Sequence, residues 1–332
     1  MNAELLKRLI RSHRRNDETG FADAAEQLIV AERRQGHVRL ADDLAAALRE
    51  TPGPARRARE QIATVHELPR SKTEGASLLD TVAPSRGLDD IVLAPETEVR
   101  ITRFLREFAH RDRLAEHGLP PNRKLLFHGP PGNGKTLCAA VVAGELGLPL
   151  HYVRFDSLIA SYLGETSANL RRVFDHARHR PGVLFFDEVD AIARSRSDRD
   201  DVGELKRVVN SFLQMLDGDA SEGPVIAATN HESALDDAIW RRFDDVVWFP
   251  MPDEAQLHEY LRRRFRSVRT HGLTVEDAAA KCRGLCLSDV ARITTDALKT
   301  MVLDGEAALT GALFGAAVDR HQDARSRRRT TP

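Results

Sequence analysis

The chain has 332 residues, of which 42% are hydrophobic and 30% are charged. Its 49 basic and 50 acidic residues nearly cancel, to a net charge of -1. This balance argues against a whole-protein electrostatic preference for nucleic acid or for an anionic membrane. The N-terminus has no apolar stretch of signal-peptide length, and the sequence has no uncharged apolar run long enough to cross a bilayer. We therefore expect no membrane insertion and a cytoplasmic location.

The first 85 residues predict a small unit followed by a connector. Residues 1–50 contain three stretches with apolar residues at helical spacing, separated by Gly20 and Gly36. They predict a helical N-terminal unit that would suit docking to a partner. Residues 51–85 are punctuated by proline, glycine and serine, which indicates a linker.

From residue 86 onward, strand and helix patterns alternate. The apolar strand patterns up to residue 252 are KLLFH, PLHYVRF, GVLFFD, PVIAATN and VVWFP, and helical patterns separate most of them. This order predicts an α/β core with a parallel sheet over 86–252. Residues 253–321 show helical patterns alone and predict an all-helical C-terminal subdomain. The basic segment 322–332 predicts a disordered tail.

A glycine-rich loop joins the KLLFH strand to the next helix. It consists of Gly129, Pro130, Pro131, Gly132, Asn133, Gly134, Lys135 and Thr136. Glycines allow backbone N–H groups to turn inward around a phosphate, and the following helix directs its positive end toward the same anion. Lys135 would reach the β- and γ-phosphates, and the Thr136 hydroxyl would bind Mg²⁺. The loop therefore predicts a nucleoside triphosphate site.

Polar side chains follow two later strands. Asp187 and Glu188 end the VLFF strand, where adjacent carboxylates are costly unless a cation lies nearby. Asp187 would hold Mg²⁺, and Glu188 would orient and deprotonate the attacking water. Asn230 ends the PVIAATN strand, where it is either a phosphate or water ligand or a simple turn former. Arg241 and Arg242 are either surface arginines or a charge supplied to a neighbouring molecule.

In order and spacing, five segments resemble the AAA family of ring-forming ATPases over about residues 88–320. They are GPPGNGKT, FFDEVDAIARSR, RVVNSFLQMLDG, IAATN and ALDDAIWRRFD. The RRF block resembles most the group that includes katanin, spastin and their bacterial relatives. The resemblance implies a P-loop NTPase core with a helical lid, ATP and Mg²⁺ as ligands, and activity in an oligomer, usually a homo-hexamer. Asn133 stands where the family usually has threonine.

The resemblance also implies a role for each matching position. Segment 129–136 corresponds to Walker A, Asp187 and Glu188 to Walker B with Glu188 as catalytic base, Asn230 to sensor 1, and Arg241 and Arg242 to arginine fingers. Tyr162 and Leu163 correspond to the first pore loop, which grips a polypeptide substrate in the ring's channel. Segment 284–293 resembles the lid segment near the adenine ring.

Three functions remain open at this point. The first is an ATP-driven remodeller that unfolds or threads a protein substrate, alone or together with a separately encoded partner enzyme. The second is an ATP-dependent switch that regulates a partner protein. The third is a nucleic-acid motor, and the basic run RRRFRSVR at 262–269 supports this alternative. The neutral net charge argues against nucleic acid as a partner, and Phe265 is the one aromatic residue interleaved with those arginines.

Overall fold

The structure, a computed structural model, describes residues 25, 27–29, 31, 68–69, 77–154, 158, 163–190 and 202–330. For 163–164, 202–207 and 328–330 it describes the backbone alone. The chain divides into two compact units, Met1–Arg57 and Ala58–Pro332. In the first unit the described residues are helical, and most of the helices predicted there lie outside the described residues.

The second unit begins with alternating strands and helices. They are β1 (Leu79–Val82), α1 (Pro95–Ala109), α2 (Arg111–Glu116), β2 (Lys124–His128), α3 (Lys135–Glu145), β3 (Leu150–Val153), α4 (Leu163–His179), β4 (Val183–Phe186), α5 (Val202–Asp217), β5 (Val225–Thr229), α6 (Asp237–Trp240) and β6 (Asp245–Trp248). Helices then predominate, in the order α7 (Glu254–Phe265), β7 (Thr270–His271), α8 (Val275–Lys281), α9 (Leu287–Leu303), β8 (Leu309–Thr310) and α10 (Gly311–Thr330).

The strands β1 to β6 form one sheet in the order β1-β3-β4-β5-β2-β6. All neighbours are parallel except β1, which pairs antiparallel with β3 at the edge. The predicted α/β fold with a parallel sheet is therefore confirmed. The edge strand β1 corrects the prediction of a linker over 51–85. Only Leu79 of this strand is buried, so its sequence carries no alternating apolar pattern.

Helices cover both faces of the sheet, as the side chains of β4 illustrate. Val183 and Phe185 pack in the cluster that contains the buried faces of α1 and α3, whereas Leu184 and Phe186 pack in the cluster with α4 and α5. All four side chains are buried. A parallel strand covered on both faces reads as a continuous apolar run, which explains why VLFF is recognisable in the sequence.

The helices after β6 have a hydrophobic core of their own, which includes Leu261, Val290 and Phe314. Two details differ from the predictions. The short strands β7 and β8 pair in parallel, so this region is not purely helical. Helix α10 continues to Thr330, where disorder was predicted, because alanine, glutamine and arginine sustain a helix even without burial. No helix among the described residues is long and apolar enough to cross a membrane.

Helix α3 approaches the segment before α1 so closely that only glycine is accommodated at position 144. A Cβ atom there would lie 1.7 Å from the backbone oxygen of Arg86. We expect Gly144→Ala to lower the free energy of unfolding by about 1–3 kcal/mol, as overpacking does, although alanine normally favours a helix. Urea unfolding measures this change.

Gly315→Ala in α10 is the matched control, because the nearest atom to its Cβ would be Lys281 Nζ, the end of a long side chain, at 3.1 Å. This variant should be neutral or slightly more stable than the wild type. Equal stabilisation by both substitutions would contradict the close approach of α3 to Arg86.

Candidate functional site

The loop between β2 and α3 is shaped by glycines at three positions. Gly129, Gly132 and Gly134 have φ angles of 134°, 80° and 96°, a region that side chains disfavour. A Cβ at Gly129 would lie 2.3 Å from the Phe249 backbone oxygen, and a Cβ at Gly132 would lie 2.4 Å from Ser288 Oγ. Both the backbone conformation and the lack of space therefore require glycine at these two positions.

Lys135 begins α3 with its side chain buried against this loop. Its Nζ donates hydrogen bonds to the backbone oxygens of Gly129, at 2.6 Å, and Pro130, at 3.0 Å. Burial lowers the pKa of the Lys135 ammonium below its ordinary value, because desolvation disfavours the charged form. The neighbouring carboxylates of Asp187, Asp190 and Glu232 oppose that shift. A phosphate in the loop would likewise favour the charged ammonium.

The carboxylate that ends β4 lies beside the loop. The Thr136 hydroxyl donates to Asp187 Oδ2 at 2.7 Å, and the Tyr152 hydroxyl of β3 donates to the same oxygen at 3.3 Å. Two oxygen ligands of a hexacoordinate Mg²⁺ on adjacent positions are about 3 Å apart, so Thr136 and Asp187 are suitably spaced to bind this ion together. The contact from Tyr152 was not predicted, since nothing in the PLHYVRF strand marks its tyrosine.

Glu188 turns the chain away from the sheet edge. Its φ of 52° is the one positive value for a non-glycine residue among the described residues. The Glu188 N–H donates to Asp187 Oδ1 at 3.0 Å, and the residue is exposed. Such a backbone conformation is costly for a side chain other than glycine and is found preferentially at functional sites.

A cleft of about 420 Å³ brings these groups together. Its polar end is lined by the glycine loop, Lys135, Thr136, Asp187, Glu188 and Asn230. The rest is lined by Asp90, Ile91, Val92, Tyr260, Leu287, Ser288 and Ala291. The segment before α1 and the helices α7 and α9 thus form one wall with apolar side chains, which suits an uncharged aromatic base. Of this wall, the sequence indicated only the segment of Leu287, Ser288 and Ala291.

A larger groove, of about 670 Å³, lies between α4 and α5. Its lining includes Arg171, Asp175 and Arg178, but neither the glycine loop nor the carboxylates at the end of β4. Arg178 donates to the backbone oxygen of Gly218 at 2.7 Å. The smaller cleft is therefore the candidate site, because it contains the glycine loop and the carboxylates, which the larger groove lacks.

The two predicted arginine fingers do not line this cleft in the described part of the chain. Arg242 forms an ion pair with Asp217, with 2.8 Å between Nε and Oδ2, and Arg241 is exposed. The predicted pore-loop residue Tyr162 lies outside the described residues, and for Leu163 the structure gives only its backbone position as the first residue of α4.

The positive φ of Glu188 can be tested by stability alone. We expect Glu188→Gly to have a free energy of unfolding about 1 kcal/mol above that of Glu188→Ala, because only glycine adopts this conformation without a penalty. At Glu98, in the helix α1, we expect the opposite order: Glu98→Ala should be more stable than Glu98→Gly, since alanine is the better helix former. Chemical denaturation of the four variants measures both differences. A more stable alanine variant at both positions would contradict the strained backbone at Glu188.

Comparisons with known proteins identify the family. Residues 125–251 match the family described as "ATPase family associated with various cellular activities (AAA)". The chain is 40% identical over 301 residues to "Uncharacterized AAA family ATPase y4kL" of Sinorhizobium fredii, an alignment covering 91% of this chain and 89% of that protein. It is 36% identical over 226 residues to "ATPase family gene 2 protein" of Saccharomyces cerevisiae, covering 59% of this chain and 29% of the yeast protein. The chain belongs to the AAA family and is an ATPase.

Proposed function

We propose that the chain works as a ring of six copies in which ATP hydrolysis drives the remodelling, unfolding or threading of a protein substrate. Residues 86–252 would be the ATPase core and 253–321 the lid. One observation carries the proposal. Lys135 is the one cation among the described residues that line the cleft, whereas a triphosphate is multiply charged. Mg²⁺ would supply part of the remaining positive charge, and Arg241 and Arg242 of a neighbouring copy are suited to supply the rest.

In this proposal segment 129–136 holds the triphosphate with its backbone N–H groups at the beginning of α3. Lys135 exchanges the carbonyl oxygens of Gly129 and Pro130 for oxygens of the β- and γ-phosphates. Thr136 and Asp187 hold Mg²⁺, which would neutralise charge on the phosphates. The Tyr152 hydroxyl would keep Asp187 oriented toward that ion, through the contact to Oδ2.

Hydrolysis would use the side chains at the ends of β4 and β5. Glu188 accepts a proton from a water molecule, whose oxygen attacks the γ-phosphorus in line with the bond to ADP. That bond breaks, its electron pair stays with the ADP oxygen, and inorganic phosphate leaves. Asn230 lines the same cleft and would orient the water or the γ-phosphate through its amide.

The arginines would act on the ATP of a neighbouring copy. The ion pair of Arg242 with Asp217 joins side chains that are 41% and 47% exposed. Exposed ion pairs contribute little to stability, so Arg242 could exchange Asp217 for a phosphate oxygen, which offers a stronger charge-assisted hydrogen bond. Arg241 is exposed beside it and would assist. Tyr162 and Leu163 would contact the substrate polypeptide, and the family resemblance alone supports that assignment.

A regulatory switch is the second candidate. It needs the same cleft and the same hydrolysis, but no contact of the pore loop with a substrate. The N-terminal unit over 1–50 would suit partner docking in either case, and a separately encoded partner enzyme is compatible with both.

The contacts of the basic run at 262–269 speak against a nucleic-acid motor. Arg262 and Arg263 both donate to the Glu259 carboxylate, and their hydrogen bonds lower the pKa of that group to about 2. Arg263 also donates to the backbone oxygens of Asp89 and Ile91. Two of the three consecutive arginines thus contact Glu259 within the same helix, and its carboxylate offsets one of their two charges.

To test the proposal, light scattering behind a sizing column would measure the number of copies per particle formed by the Glu188→Gln variant, with and without ATP and Mg²⁺. This variant should bind ATP without hydrolysing it, and we expect about six copies per particle with nucleotide, because bound ATP would hold a neighbour's arginines. Lys135→Ala, which loses the phosphate ligand, is the control and should remain small. A monomer in every condition would contradict the ring and favour the switch.

A further inference from the structure

Helix α9 begins at the cleft without a side-chain cap of its own. Its N-cap position is Cys286, which makes no capping hydrogen bond and is not among the preferred capping residues. The first N–H groups of a helix need partners from outside it. The N–H of Ser288 donates to the backbone oxygen of Gly132 at 2.9 Å, and the N–H of Leu287 donates to Asn133 Oδ1 at 3.4 Å. The loop over residues 129–136, called the phosphate loop from here on, therefore caps the helix.

The side chain of Asn133 is buried, with 4% of its surface exposed. Its amide nitrogen contacts the Pro130 backbone oxygen at 3.4 Å and Met251 Sδ at 3.5 Å. The orientation of the amide follows from its partners, because Leu287 offers only a donor and Pro130 only an acceptor. One side chain thus links the phosphate loop, the first turn of α9, and the segment that joins β6 to α7.

We infer that Asn133 is a positioning residue that fixes the lid against the phosphate loop and thereby sets how closely the cleft closes on ATP. Leu287, Ser288 and Ala291 of α9 line the cleft together with Ile91 and Val92. Any displacement of the first turn of α9 therefore changes the width of the cleft in which the nucleotide would bind. A threonine, the usual family residue here, carries a single hydroxyl and cannot supply an acceptor and two donors at once.

The inference depends on ATP binding in the cleft, which the family membership supplies, and not on the formation of a ring. Asn133 contacts loop and lid atoms of the same chain, so its effect should be present in a monomer. Measurements at a chain concentration too low for assembly therefore separate a failure of this inference from a failure of the proposed ring.

The experiment compares Asn133→Ala and Asn133→Thr with the wild type in two measurements. Amide hydrogen exchange reports the protection of the Leu287 and Ser288 N–H groups, and equilibrium titration reports the dissociation constant of ATP with Mg²⁺. We expect faster exchange at Leu287 in both variants and an ATP dissociation constant about fivefold higher for alanine, the effect of one hydrogen bond. In a separate assay at a chain concentration that allows assembly, the KM for ATP should rise more than kcat falls.

Two further variants separate lid positioning from a general loss of stability. Thr294→Val removes the buried hydrogen bond of Thr294 to the Val290 backbone oxygen within α9, and it should lower stability without changing ATP affinity. Cys286→Ser supplies a hydroxyl at the N-cap position, and in the Asn133→Ala background it should restore part of the protection and part of the affinity.

Two results would overturn the inference. The first is Asn133→Ala with unchanged exchange at Leu287 and unchanged ATP affinity. The second is weaker ATP binding in Asn133→Ala or Asn133→Thr with no change in exchange at Leu287, since Asn133 would then act only within the phosphate loop. If Asn133→Ala does not fold, the threonine variant carries the test, because this residue is usual in the family.

Discussion

The close approach of the phosphate-loop backbone to two other parts of the chain is the constraint on which the cleft depends. On one side Gly129 lies against the backbone oxygen of Phe249, directly after β6, and on the other Gly132 lies against Ser288 in α9. A side chain at either glycine would separate the loop from a neighbour. Because the same few residues contact both the end of β6 and α9, the loop between β2 and α3 also fixes the position of the first turn of α9.

The parallel sheet explains why the chemical groups meet at this loop. Strands β4, β5 and β2 are adjacent and parallel, so their carboxyl ends lie at the same edge. Helices cover both faces, and polar residues are therefore favoured where a strand leaves the sheet. Thr136 follows β2, Asp187 and Glu188 follow β4, and Asn230 follows β5. The order of the strands thus assembles the site, in agreement with the rule that ligands bind outside the carboxyl ends of such strands.

The features that the sequence predicted are those with a strong local cause. The buried strand VLFF is apolar throughout because both of its faces are covered, and GPPGNGKT needs its glycines for backbone shape. Features that arise from tertiary contact were missed. Strand β1 buries one residue, Tyr260 joins the cleft only when α7 packs beside it, and Asn133 meets Leu287 from 154 positions away in the sequence. The roles of Tyr162 and Leu163 remain predictions from the family resemblance.

The central claim is that a second copy of the chain completes each ATP site, and mixing two inactive variants tests it most directly. Lys135→Ala lacks the phosphate ligand but keeps its arginines, whereas Arg242→Ala keeps its own cleft but does not offer Arg242 to a neighbour. The measurement is ATP hydrolysis by the mixture across a range of ratios. We predict activity above the sum of the separate variants, because Lys135→Ala would supply Arg242 to the intact cleft of its neighbour. No gain at any ratio, or full activity of Arg242→Ala alone, would contradict the account.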